Sequence, residues 1–236
     1  MPVLLLAQGD PQAKDLLRSA IEARYGLRPP AIENLQIDFK GRVRAKVGPI
    51  TAWVPLDAVA RFRFPTAMRW DFSVRPAGIA VQRGVEAFDG AAYRRVRGGG
   101  APQVISDGDQ VSSMQRRLWA VAALLLTPLG EHYVKLTATG PNSFDAANTQ
   151  IKDSVSLFLR PDYTLDHVEV TCLNPDSELT QKFVMRLSTE QALINDLILP
   201  RKISAFWDDA PYFEIEPTRV DSNPQISESL FNLTEK

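Results

Sequence analysis

Ala58 to Val74 reads AVARFRFPTAMRWDFSV, and its alternation sets the fold class. Ala60, Phe62 and Phe64 alternate with Arg61 and Arg63, and beyond Pro65 the residues Met68, Trp70, Phe72 and Val74 alternate with Arg69, Asp71 and Ser73. A period of two puts successive side chains on opposite faces of a strand, so each run has one apolar and one charged face. Single-faced strands belong to antiparallel sheets with one side in water, because parallel sheets are covered by helices on both faces and their strands are apolar throughout.

The same texture extends both ways. Upstream lie IENLQIDFKGRVRAKVG from Ile32 and TAWVPLDAVARFRF from Thr51; downstream lie GIAVQRG from Gly78 and VEAFDGAAYRRVRGG from Val85. After a glycine-rich stretch from Gly98 to Asp109, read as a loop, strand signals return in YVKLTAT, KDSVSLFLR, LDHVEVTCL, KFVMRLST, RKISAFWD and YFEIEPTRV, separated by GPN, RPDY, NPDS and WDDAP turns. Short strands at this spacing predict a sandwich or barrel-like sheet of about ten or eleven strands. No repeat of fixed period is present.

Two segments break the strand pattern. Asp10 to Tyr25, DPQAKDLLRSAIEARY, carries Leu16, Leu17, Ala20 and Ile21 at helical spacing, with Asp10 as N-cap, Pro11 in the first turn and Gly26 as C-cap. Gln110 to Leu126 places Val111, Met114, Leu118, Val121, Ala122 and Leu125 on one stripe, with Gln115, Arg116 and Arg117 mostly off it. Asp107 or Asp109 can cap this helix, and Thr127-Pro128 ends it. An apolar stripe must be buried, and the concave face of a curved sheet is the place available. The expected fold is therefore mainly β, of the α+β class: a curved antiparallel half-barrel with helices on its concave face, residues 1 to 236 forming one domain.

Composition narrows the chemistry. With 27 basic and 28 acidic residues and a net charge of −1, nothing in the balance points to nucleic acid. One cysteine, Cys172, and two histidines leave no disulfide framework and no metal-ligand spacing, so neither metal nor cofactor is expected. No apolar run approaches the ~20 residues of a membrane helix. The opening MPVLLLAQGDP joins an apolar patch to small residues without a basic n-region; it reads either as the tail of a clipped signal or as a plain lead into the first helix.

No catalytic site is expected. There is no G-x-S-x-G elbow. Cys172 and His167 share a strand, but five residues along it places them on opposite faces and roughly 16 Å apart. His132 falls at a turn, and His167 alternates with Glu169 on what reads as a solvent face. The Asp208-Asp209 pair and the Glu214/Glu216 alternation fit a hairpin turn and an outer face better than acid-base work on a sugar. The RVRGGG run lacks the ending of a phosphate loop.

Two clusters remain. Arg61, Arg63, Arg69, Arg75, Arg83, Arg94, Arg95 and Arg97 can gather on the convex face, as solubilising charge or as a dock for an acidic partner. Phe62, Phe64, Met68, Trp70 and Phe72, with Met114, Leu118 and Leu125 from the helix and Phe183 and Met185 from a later strand, are either core or the lining of an apolar cavity, for which methionine and aromatic side chains are suited.

The order of elements resembles a known group. LLRSAIEARYGLRPPAIENLQIDFKGRV, AFDGAAYRRV, RRLWAVAALLLTPL, LILPRKISAFWDD and FEIEPTRVDSNPQISESLF are similar to bacterial LolA/LolB-type lipoprotein carriers and their relatives of unknown function, across nearly the whole chain. The most specific part is V-x-x-N-x-x-I-x-x-x-x-F at Val220 to Phe231. The resemblance implies a periplasmic or otherwise extracytoplasmic protein, the cytoplasm remaining open, whose hollow takes lipid or acyl chains without cofactor or turnover. The other expectation is an envelope sensor or protein-interaction module of the same shape with a filled core. No functional residue of the carriers is transferred.

Overall fold

The structure is a computed structural model and describes residues 5–76 and 81–233. In chain order its strands and helices are β1 (Gln8–Gly9), α1 (Pro11–Tyr25), β2 (Asn34–Val47), β3 (Ile50–Arg63), β4 (Ala67–Val74), β5 (Gln82–Phe88), β6 (Tyr93–Arg97), β7 (Gln103–Ile105), α2 (Gly108–Leu124), β8 (Val134–Gly140), β9 (Ser143–Asn148), β10 (Asp153–Leu159), β11 (Leu165–Leu173), β12 (Thr180–Leu187), β13 (Gln191–Ile194), β14 (Leu197–Pro200), β15 (Ile203–Trp207) and β16 (Ala210–Ser222). Among the described residues, fourteen strands form one sheet in the order β1-β8-β9-β10-β11-β12-β15-β16-β2-β3-β4-β5-β6-β7, while β13 and β14 pair as a separate hairpin. The sheet curves without closing, since β1 and β7 are its two unpaired edges. All its pairings are antiparallel except that of β1 with β8.

The half-barrel of α+β class is as the alternation predicts, with more strands than ten or eleven. The additional ones carry weak signals: β1 and β7 are two and three residues long, and β7 lies inside the stretch read as a loop. The β9 sequence SFDAAN is poor in β-branched residues, yet β9 is held between β8 and β10 with Phe144 and Ala146 fully buried. Position between two partners overrides propensity there. The expected GIAVQRG strand begins outside the described residues, and its described part enters β5.

Alternation delivers the two faces. In β3 and β4 the pair Phe62 and Met68 faces inward, as do Ala60 and Trp70, whereas Arg61 stands opposite Arg69 on the outer face. The inner face is covered by both helices. Ala13, Leu16, Leu17, Ala20 and Ile21 of α1 are buried against β8 and β9. Its Pro11 and Gly26 take the expected terminal positions, but the Asp10 carboxylate accepts from the Ala138 amide at 3.2 Å instead of capping the helix.

Helix α2 lies on β10 and β11. Asp107 caps it, accepting from the Gln110 amide at 2.9 Å, and a 3-10 turn at Thr127–Gly130 follows where Pro128 stops the helix. Trp119 is fully buried and donates through Nε1 to the Ala146 carbonyl at 2.9 Å. Ser113 donates to the Leu173 carbonyl at 2.6 Å, and Arg116 pairs with Asp153 at 2.8 Å. These anchors tie α2 to the β9 to β11 side, leaving its opposite flank facing β3 and β4.

Candidate functional site

Between that flank and the sheet lies an apolar cavity of about 180 Å³. Seven of the ten residues named as possible lining meet in it: Phe62, Met68, Trp70 and Phe72 from β3 and β4, Met114 from α2, and Phe183 and Met185 from β12. The spacing explains the convergence, because residues two apart on a strand share a face and Met114 occupies the edge of the α2 stripe. Phe72 reaches its place because the facing residue on β5 is Gly84, where a β-carbon would stand 2.3 Å from the Phe72 ring.

The other three sit elsewhere. Phe64 stacks on Phe62 with ring centroids 5.4 Å apart, outside the lining. Leu118 is fully enclosed core, facing the sheet on which α2 rests. Leu125 lines a second apolar hollow of about 70 Å³ formed with Leu35, Ile37, Leu124, Leu199 and Ile203. The two hollows share Phe62, Trp70, Val121, Met185 and Phe213, so a few side chains form the wall between them. Met185 is the most adaptable of these, with three rotatable bonds.

Three polar residues also reach the larger cavity, none of them among the expected lining: Glu86 of β5, Arg117 of α2 and Tyr212 of β16. Arg117 follows Met114 by three positions and precedes Val121 by four, so it is a helical neighbour of two lining residues and belongs to the stripe's edge, not off it as the sequence reading has it. Its Nε is buried without a hydrogen-bond partner, its Nη2 lies 4.0 Å from the Met114 sulfur, and among the described residues no carboxylate comes within 4.0 Å. Burial is the largest influence on Arg117 and opposes its charge, but Glu86 first, with Tyr93, Tyr212 and Cys172, together more than offset it and keep the guanidinium protonated. Burial, with Glu86 second, pushes the Tyr212 phenol well above its ordinary value, so it is a neutral hydroxyl.

Glu86 itself is answered by Arg95, at 3.3 Å, and Arg95 donates to the Tyr93 hydroxyl at 2.8 Å. Arg95 therefore belongs to the inner face, because it stands opposite Glu86 in the ladder, and not to the convex cluster where its sequence neighbours placed it. On the outer face several of the arginines are committed to nearby carboxylates. Arg61 and Arg69 both hold Asp71, at 2.9 and 2.8 Å, and Arg75 holds Asp57 at 2.8 Å. Arg63 and Arg69 also bind the C-terminal segment, donating to the Ile226 and Leu230 carbonyls, and Phe231 is fully buried beside them.

The residues tested for catalysis are dispersed. Cys172 is buried under α2. His167 faces the other way, stacked on Phe158 at 4.3 Å between Asp166 and Glu169, so it is half-buried instead of solvated. The Asp208 carboxylate ties the β15–β16 turn to β12 by accepting from the Lys182 amide at 2.9 Å, and Glu214 pairs with Arg42 and Lys202.

No family profile and no curated protein matches the sequence. Solved structures do match the fold. A DUF1329 family protein from Desulfovibrio piger superposes with a TM-score of 0.52 at 9% identity, over 93% of this chain and 97% of that one. A LolA superfamily protein from Nitrosomonas europaea does so with a TM-score of 0.51 at 10% identity, over 93% and 96%. In sheet, helices and extent, the fold of this chain is similar to that of the LolA superfamily protein.

Proposed function

We propose that this protein is a non-enzymatic binder or carrier of an apolar ligand, such as a lipid or acyl chain, in the cell envelope. The observation that carries the reading is the cavity of about 180 Å³ between α2 and the sheet, walled by Phe62, Met68, Trp70, Phe72, Met114, Phe183 and Met185. The cavity is partly open, and apolar walls left in contact with water favour a greasy ligand that covers them. For comparison, an apolar cavity of about 150 Å³ holds one benzene ring. A longer chain has to run on into the second hollow, which needs only movement of Met185, Val121 or the flanking rings. The envelope placement rests on the fold likeness to a LolA superfamily protein.

The test is saturable binding of the uncharged dye N-phenylnaphthylamine, displaced by dodecanol, with native mass spectrometry of freshly purified protein for retained lipid. Val121→Trp fills the wall shared by both hollows, and should weaken dye binding by about tenfold or more while the circular dichroism of the sheet is retained. Wild-type protein that neither retains lipid nor binds the dye saturably would overturn the reading.

A further inference from the structure

We propose that the ligand is a single-chain amphiphile with a carboxylate head, bound by Arg117 with its chain directed into the second hollow. The inference deepens the cavity reading and rests on it. Arg117 is a guanidinium on the wall of a mainly apolar cavity, with a buried, unpartnered Nε and no carboxylate within 4.0 Å among the described residues. Among the described residues the neighbouring carboxylates act on Arg117 only from beyond 4.0 Å. Glu86 is engaged by Arg95, and Asp176, which acts on Arg95 and Tyr212, sits exposed in the turn before β12. Arg117 is partly withdrawn from water with its Nε fully buried, which is costly without a contacting counter-ion, and its planar fork of donors matches a carboxylate in bidentate geometry.

Tyr212 adds a second donor. It lines the same cavity, it is neutral, and among the described residues its hydroxyl has no hydrogen-bond partner. The sign and size of the head group follow from Glu86. One carboxylate neutralises the excess positive charge of Arg117, whereas a phosphate monoester, carrying about −1.5 to −2, would face the Glu86 carboxylate with charge left over. The direction of the chain follows from the walls: Glu86, Arg117 and Tyr212 all lie in the larger cavity, and the adjoining hollow is lined by aliphatic and aromatic side chains and prolines alone.

The experiment compares dodecanoic acid, its methyl ester and dodecyl phosphate as displacers of N-phenylnaphthylamine from the full chain at neutral pH, below their micelle concentrations. Dodecanoic acid should displace the dye at a concentration about tenfold or more below that of the ester and of the phosphate, the usual worth of a charge-assisted hydrogen bond. Arg117→Met should abolish the advantage of the acid over the ester, Arg117→Lys should keep part of it, and Tyr212→Phe should reduce it. Equal affinity for acid and ester, a preference for the phosphate, or an acid preference that survives Arg117→Met would each overturn the proposal while leaving the cavity reading intact. If dye, acid and ester all fail to bind wild-type protein, the cavity reading falls and this one with it. Should Arg117→Met not fold, the wild-type acid-to-ester ratio and the Arg117→Lys variant decide.

Discussion

Asp89 shows how much a single side chain settles at a turn. It follows β5 directly, and its carboxylate accepts from the Ala91 and Ala92 amides at 3.0 and 2.8 Å while Arg94 pairs with its other oxygen. Partial burial by itself would raise the Asp89 carboxyl, but the two amide bonds and Arg94 outweigh it, and the group lies below its ordinary value of 3.8. A depressed carboxyl contributes stability that is present above the unfolded value and is lost as pH falls through the native one. Asp89→Asn should therefore flatten the loss of stability below about pH 4, and Asp89→Ala should cost about 1 kcal/mol at neutral pH, both read from urea midpoints against pH. An unchanged acid limb in Asp89→Asn would show that the loss is governed elsewhere. The turn divides into β5 and β6 a stretch from Val85 that reads as one run in the sequence. Arg24 was not legible: it continues the α1 stripe of Leu17, Ala20 and Ile21, but a charge at that position reads as the end of the apolar face. In the structure it is buried, donating to the Leu124 carbonyl, with Tyr25 donating to Leu125 at 3.1 Å. The last carbonyls of a helix have no partners within it, so the two residues close the end of α2 and join the helices.

At the level of elements, α2 decides whether there is a cavity at all. Its existence was plain from the stripe, whereas the cap lay open between Asp107 and Asp109 until the structure selected Asp107. The strand that α2 grips was not plain, because SFDAAN lacks both β-branched residues and clear alternation. The side chain linking the two is Trp119, enclosed completely and bonded to the Ala146 carbonyl of β9 at 2.9 Å. A period of 3.6 places Trp119 next to Leu118 on the buried arc, but only the strand opposite fixes where its N–H goes. Trp119→Phe removes that bond and leaves a void beneath the helix, at a cost of about 2 to 4 kcal/mol. The check is the guanidinium unfolding midpoint together with the near-ultraviolet dichroism of the remaining tryptophans. A change under about 0.5 kcal/mol would mean that α2 is seated by its other anchors, Ser113 and Arg116, and that Trp119 merely fills space. Arg117 escaped the stripe for a related reason: helical geometry puts it beside Met114 and Val121, and a guanidinium facing an apolar wall runs against the expectation that charge faces water.

Over the whole molecule, the cavity is made by two arms of one sheet, β3 to β7 on one side and β8 to β15 on the other, joined through β2 and β16. Alternation exposes strands but not their neighbours, so this seam between residues 170 or more positions apart could not be read from the sequence. Its mark in the sequence is Gly41, in the middle of the β2 run DFKGRV where β-branched residues would be usual. Gly41 stands opposite Ile215, and a β-carbon there would meet the Glu214 carbonyl oxygen at 2.0 Å and the Ile215 Cα at 2.8 Å. Both are backbone atoms that cannot turn aside, so any side chain forces β2 and β16 apart. Val43 and Phe213, paired in the same seam, are cavity lining, and the cavity would be disturbed with it. Gly41→Val should lower stability by about 3 kcal/mol or more and lose saturable dye binding in the protein that stays folded. Gly108→Ala supplies the contrast, since a β-carbon there meets nothing within 4 Å in the first turn of α2, and it should be neutral or slightly stabilising. If both variants melted alike and both bound the dye, the arms would be held together by the helices, with α1 and α2 as the frame and the β2–β16 ladder as a consequence of it.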